Sequence, residues 1–210
     1  MCFPLLKNKS FKDSEFGIAL KRVNDTNCHV GVYWSVKEST TLFHFVATGR
    51  ILSEDSSDKD DYRFEQLKSF NPVYIPTLIT LAPKIAKNNL NLLVKAVKYD
   101  GYKFDLKSGI YLAPTKDNQL NCAAFTLALL NTFNIELLNW KTWPEVEISK
   151  TQMVSWLKHH NLDSSVAESL RKKNREIRGK HVGAAALSDS LPVSHSDIQE
   201  LVSALDKVLV

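Results

Sequence analysis

Two stretches near the N-terminus constrain the fold more than anything else in the chain. CHVGVYWSV (28–36) and TLFHFVATGRI (41–51) alternate apolar and polar side chains with the period of two that a half-buried strand requires. Both are rich in β-branched and aromatic residues, and a polar turn at KEST (37–40) joins them. The pair is expected to form an antiparallel hairpin, with His29 on one strand and His44 on the next. Strand character as a whole spans residues 16 to 51. A chain of 210 residues can bury one good core around such a sheet, with at most a small appendage.

Downstream the pattern changes. SEDSSDKDDYR (53–63) has no apolar period and reads as a solvated acidic loop; it lacks the central glycine and closing glutamate of a calcium loop. Prolines at 72, 76 and 83 predict short helical turns rather than one long helix up to Leu93. LVKAVKYDGYKFD (93–105) alternates around Asp100-Gly101, a hairpin-turn signal between two short strands. Residues 121 to 133 place Cys122, Phe125, Leu129, Leu130 and Phe133 at helical spacing, with Asn121 as N-cap. Trp140, Trp143 and Pro144 mark a break. Beyond it two or three helices are expected, in ISKTQMVSWLKHHN (148–161), SSVAESLRKKNREIRG (164–179) and SDIQELVSALDKVLV (196–210), with AAALSDSLP (184–192) as a loop.

Cys122 therefore falls on the first turn of a helix. Unpaired backbone N–H groups and the positive end of the helix dipole favour a thiolate there, which is the reactive form of cysteine. The bland alternative is a small buried residue, the commoner fate of cysteine. A nucleophile also needs a base, for which histidine is suited near neutral pH, and a third polar group to orient that base. His29 and His44 on neighbouring strands supply both types, although strand histidines are often simply half-buried.

Other uses of the cysteines fit less well. Cys2, Cys28 and Cys122 cannot all pair, and none lies in a CxxC motif, so free thiols in a reducing compartment are the simpler reading. Met1-Cys2 could expose an N-terminal nucleophile, but Phe3-Pro4 follows it without a glycine. Cys28, His29, His44 and Cys122 are zinc-type ligands, yet short-spaced ligand pairs are missing, so neither a metal nor another cofactor is expected.

Charge and hydropathy narrow the partners. A net charge of +4 is only mildly basic, so nucleic acid is not expected. No run approaches the roughly 18 apolar residues of a membrane span. MCFPLLK is too short and wrongly ordered for a secretory signal, which makes the chain cytoplasmic as synthesised unless a signal-independent machine exports it. RKKNREIRGK (171–180) gathers six basic side chains and one acid. It is either a solvated helix face, with Glu168 reaching Lys172, or an anion contact at Arg171, Lys172 and Lys173. Without interleaved aromatics it is no single-strand binder.

The order of these motifs resembles a known family. His29-Val30-Gly31-Val32-Tyr33, then Leu42-Phe43-His44 on the next strand, then Asn121-Cys122-Ala123-Ala124-Phe125 heading a helix are similar to the circularly permuted branch of the papain-like, NlpC-type superfamily. That branch includes the lecithin:retinol acyltransferase-like proteins. The likeness covers residues 15 to 135, lacks the usual glycine turn between the two histidines, and has Ala123-Ala124 where polar or aromatic residues often stand. It implies an α+β fold in which a papain-like antiparallel sheet of permuted strand order packs on the nucleophile-bearing helix. Residues 1–148 would form the catalytic domain and 149–210 a helical extension.

The same resemblance implies that Cys122 attacks a carbonyl, His29 carries the proton and His44 holds His29. Asn121 would line the cleft, and so would Tyr33 and Trp34, unless as strand residues they belong to the core. It further implies a cysteine peptidase or amidase, with peptidoglycan peptide as the first substrate, delivery as an antibacterial effector as a context, and an inhibitor or immunity protein as a cleft partner. The alternatives are a lipid or protein acyl hydrolase or acyltransferase working through a thioester, and an inactive binding module that uses its basic helix.

Overall fold

The computed structural model describes residues 11–24, 27–46, 48–56, 59, 61–90, 93–94, 99–113, 119–145 and 177–208. Five strands form one antiparallel sheet: β1 (Phe16–Arg22), β2 (Cys28–Val36), β3 (Ser39–Phe45), β4 (Ile51–Asp55) and β5 (Arg63–Gln66). Their spatial order is β4-β3-β2-β1-β5, so the two histidine-bearing strands are neighbours at the centre. Lys37 takes a left-handed conformation, with φ of 55°, at the tight turn between them. This is the α+β architecture expected from the alternating stretches.

Period two separates the sheet into two faces. Phe16, Ile18 and Leu20 of β1, Val30, Val32 and Trp34 of β2, and Phe43 and Phe45 of β3 point into the main core. Ala19, Tyr33 and Leu42 point the other way and cluster with Tyr62 and Phe64, under Phe11. His29 shares the face of Gly31 and Tyr33, and His44 that of Leu42, so both imidazoles belong to the second face.

The main core is closed by helices. α1 (Ile75–Asn88) follows a short 3₁₀ turn at Pro72–Tyr74 that Asn71 caps. It is one continuous helix, not the broken turns that its prolines predict. Pro76 lies in the first turn, where its missing N–H would be unpaired anyway. Pro83 lies inside and costs about 3 kcal/mol. Burial of Leu78, Leu81 and Ile85, at about 1.5–3 kcal/mol each, outweighs that cost.

α2 (Cys122–Thr132) packs on β2 and β3, and its entire length from Ala123 to Leu130 is buried. α3 (Gly179–Ala186) lies on β1 and β2, and α4 (His195–Val208) lies on α3. Ile177, Val182, Ala185, Ile198 and Leu205 join the same core as the sheet and α2, so the described part of the C-terminal segment is built into the core. Helical structure starts at Gly179 and takes in Ala184–Ala186, which sequence reading assigned to a loop. The basic side chains Arg171, Lys172 and Lys173 lie outside the described residues, as do Met1, Cys2 and the stretch 146–176.

One further expectation changes. Residues 53–55 of the acidic run are not loop but the end of β4, paired to β3. Residues 95–98 of the hairpin expected about Asp100-Gly101 lie outside the described residues, and the part that follows makes an antiparallel bridge between Phe104 and Tyr111. Its turn is made by Asp105, whose Oδ1 accepts from the N–H groups of Lys107 and Ser108 and from the Ser108 hydroxyl. Two short strands, β6 (Leu93–Val94) and β7 (Gln119–Leu120), pair in parallel just before α2. Among the described residues, no helix is long and apolar enough to cross a membrane.

Candidate active site

Strand register brings the two histidines together. Gly31 of β2 lies opposite His44 of β3, so His29, two residues back on the same face, sits diagonally across from His44. Their rings meet edge to face with centroids 5.0 Å apart, and His29 Nε2 is 2.8 Å from His44 Nδ1. Gly31 is required by this approach, because a Cβ there would lie 2.6 Å from His44 Cβ. On the far side of His44, Nε2 is 2.9 Å from Glu54 Oε2 on β4. Glu54 is opposite Leu42 in the register and so shares the histidine face.

Cys122 lies at the edge of the same strand, next to the backbone of Val30. Ser35 directs its N–H and C=O to Glu15 and Ser14, on the β1 side of β2. By alternation, the N–H of Val30 points the other way, toward β3. The β2–β3 ladder ends at Gly31 and His44, so this N–H has no strand partner there. The start of α2 lies at this gap, and the backbone groups of Val30, Ala123 and Cys122 itself each pull the Cys122 thiol toward ionisation. Cys122 itself is half-buried.

Asn121 explains the helix start. Its Oδ1 accepts from the Ala124 N–H at 2.7 Å, and its Nδ2 donates to the Ile177 carbonyl at 3.4 Å. Its polar atoms hold α2 and the segment leading to α3, so the position assigned from sequence to substrate contact is a structural cap. Gly179 completes the arrangement: a Cβ there would lie 2.2 Å from the Cys28 carbonyl oxygen, which lets α3 begin against the end of β2.

Tyr33 and Trp34 do not line a cleft. Tyr33 is fully buried on the second face, where its hydroxyl donates to Glu15 Oε1 at 3.2 Å. Trp34 is 5% exposed in the main core against Phe43. Alternation turns Trp34 away from the histidine face into the main core, and Tyr33, on the same face as His29, is covered by Phe11 and Phe64. Sequence reasoning missed two other residues. Glu54 was hidden in a hydrophilic run. Tyr62, at the end of that run, sets its ring edge-on to both imidazoles, with centroids 6.3 and 6.2 Å away, and places its hydroxyl 3.4 Å from His44 Nδ1. The only signal available was a single aromatic closing an acidic stretch.

The electrostatics describe a neutral resting pair. Burial pushes the Cys122 thiol above its ordinary range, more than the three N–H groups pull it down. The thiolate expected from the helix N-terminus alone is therefore not the resting form. Burial, with help from His44 and Lys21, lowers His29 to about 4. His44 is also lowered, by burial, against the opposing pull of Glu54. Burial acts to raise Glu54, but the bond from His44 and the Lys59 ammonium 3.4 Å away outweigh it and leave the carboxyl below its usual value. Lys21 forms an ion pair with Asp61 and lies over the Tyr62 ring at 5.8 Å.

Such a set offers a hydrogen-bonded pair of imidazoles lowered by burial and, near the backbone of the residue that follows His29, a thiol raised by burial. Among the described residues, no group of three or more His, Cys, Asp or Glu side chains is placed to hold a metal ion. Compared with known proteins, the chain matches no family model, no curated protein and no solved structure.

Proposed function

We propose that this protein is a papain-like thiol hydrolase, a cysteine peptidase or amidase, with Cys122 as nucleophile, His29 as base and His44 as the group that orients His29. The observation that carries the reading is the 2.8 Å bond between His29 and His44, with a half-buried thiol at the first residue of α2 near the backbone of Val30, the residue after His29. The motif order that resembles the permuted NlpC-type group adds support from sequence.

Chemistry follows from the neutral resting pair. As a bound carbonyl approaches, the Cys122 S–H proton passes to His29 while sulfur bonds to the carbonyl carbon. The carbonyl oxygen takes the negative charge near the N–H groups that surround the sulfur, which is where donors lower such a barrier. Collapse breaks the C–N bond, and His29 returns the proton to the leaving amine. Water then attacks the thioester and gives a proton to His29, the C–S bond breaks to release the acid, and His29 passes that proton to the departing sulfur to restore the thiol.

Family likeness makes the peptide of bacterial peptidoglycan the first substrate to try, and an effector delivered to a competitor the first context. The test is incubation of the purified protein with sacculi, beside Cys122→Ala and His29→Ala variants of unchanged circular dichroism. Release of soluble peptide fragments by the wild type alone supports the reading. Equal release by Cys122→Ala refutes it. An acyl group retained on Cys122 after exposure to a lipid ester would move the assignment to acyl transfer.

A further inference from the structure

We propose that Glu54 is a positioning residue that fixes the tautomers of both histidines and so makes Nδ1 of His29 the proton-accepting atom. The proposal rests on the thiol-hydrolase reading for its catalytic meaning, but its geometric content stands apart from any substrate.

An ionised carboxylate can only accept hydrogen bonds. Glu54 Oε2 lies 2.9 Å from His44 Nε2, so that nitrogen carries the hydrogen. A neutral His44 then has a bare Nδ1. The atom facing that lone pair at 2.8 Å is His29 Nε2, which must therefore carry a hydrogen and donate it. A neutral His29 is left with its lone pair at Nδ1, on the opposite side of the ring from His44. One carboxylate thus sets four nitrogens through two bonds.

Three observations agree with this chain. Burial keeps both imidazoles neutral near pH 7, which the deduction requires. The Tyr62 hydroxyl approaches the same His44 Nδ1 at 3.4 Å, and burial holds the phenol protonated, so this second neighbour is also a donor to a bare nitrogen. Lys59 lies 3.4 Å from the Glu54 oxygen that meets His44 and helps keep it ionised. Geometry also explains why the acid comes from β4: Leu52 is opposite His44 and Glu54 is two residues further along the same face, so a one-residue slip would carry the carboxylate to the other side.

The tautomers are read directly by long-range ¹H–¹⁵N spectra of histidine-labelled protein, with His29→Asn and His44→Asn used to assign the signals. In the wild type, both residues should show the hydrogen on Nε2 and a bare Nδ1. Glu54→Gln keeps an accepting carbonyl oxygen and should preserve that pattern. Glu54→Leu removes the acceptor on a partly exposed edge strand. In it His44 should populate the Nδ1–H form, and the rate of Cys122 alkylation by iodoacetamide should fall by about tenfold or more. Matching near-ultraviolet circular dichroism shows that both variants are folded.

Retention of the wild-type tautomers in Glu54→Leu overturns the proposal, as does a hydrogen on Nδ1 of His44 in the wild type. The hydrolase reading fails separately. If the tautomers shift as described but no sacculus or amide substrate is cleaved by the wild type, Glu54 still positions the pair and only the reaction assigned to it is wrong.

Discussion

The backbone of Val30, one residue along β2 from His29, lies close enough to Cys122 to draw its thiol toward ionisation. The contact depends on a sheet that stops pairing at Gly31 and His44 and on a helix whose first residue enters the gap. It brings backbone N–H groups near a half-buried sulfur. Donors favour the thiolate and dehydration disfavours it, so the sign of the thiol shift reports which effect wins.

Dehydration wins here, and Cys122 should titrate above the unperturbed value of ~8.5. The rate of iodoacetamide labelling against pH, followed by mass spectrometry, should inflect above that value in the native protein and return toward it in urea. An inflection well below ~8.5 would mean that a thiolate–imidazolium pair pre-exists, and the neutral-pair mechanism would have to be abandoned.

Acid should destabilise the fold over a defined window. His29 and His181 are both lowered to about 4, chiefly by burial, and His44 is lowered as well. An unfolded histidine takes up its proton near pH 6.5, whereas His29 and His181 do so in the folded chain only near pH 4. Stability is therefore full above about pH 6.5 and falls as pH drops toward 4, by up to about 1.4 kcal/mol per pH unit for each histidine. His181 is 9% exposed, packs on Trp143 and caps α3 by accepting from the Arg178 N–H, away from the proposed site. His181→Gln keeps an acceptor without a titrating ring, so its urea midpoint should fall less steeply between pH 6.5 and 4. An unchanged slope would remove His181 from the account.

Gly31 should tolerate no side chain. A Cβ would lie 2.6 Å from His44 Cβ and 2.9 Å from the Phe43 carbonyl oxygen, both parts of β3 rather than the end of a flexible chain. Gly31→Ala must push β2 and β3 apart where the two histidines meet. Overpacking of this kind costs about 1–3 kcal/mol. The expected result is a lower urea midpoint together with loss of the His29–His44 hydrogen bond, seen as a changed histidine ¹⁵N pattern. A wild-type midpoint would show that the strands are less closely packed than their register implies.

What was legible in the sequence follows from what each element needs. β2 and β3 bury one face fully, so period two stands out, and Asn121 ahead of an apolar run marks α2. Glu54 was not legible because β4 is a partly exposed edge strand, which needs no strict apolar alternation and reads as the start of an acidic loop. α1 was misread because local proline signals are outweighed by tertiary burial. Period two separates Trp34 from His29 and sends it into the main core, whereas Tyr33 shares the face of His29 and is buried by Phe11 and Phe64, contacts that no local pattern shows. The sign of the thiol shift was out of reach, since a helix N-terminus is visible in a sequence and the burial of its first residue is not.

Asn121 separates capping from chemistry. Its oxygen accepts from the Ala124 N–H, and removing it in Asn121→Ala should cost about 1 kcal/mol of stability through the lost cap. Asn121→Asp keeps an accepting oxygen, so the fold should be closer to wild type. It also adds a negative charge next to Cys122, which opposes a thiolate and should push the thiol higher still. Thermal unfolding and the pH dependence of alkylation then move apart. Alanine lowers the melting temperature more than aspartate does, and aspartate raises the labelling inflection more than alanine does. If instead both variants unfold like the wild type, the cap does not hold α2. If aspartate lowers the inflection, the sulfur does not sense charge at the helix start, and the placement of Cys122 beside Val30 would need revision.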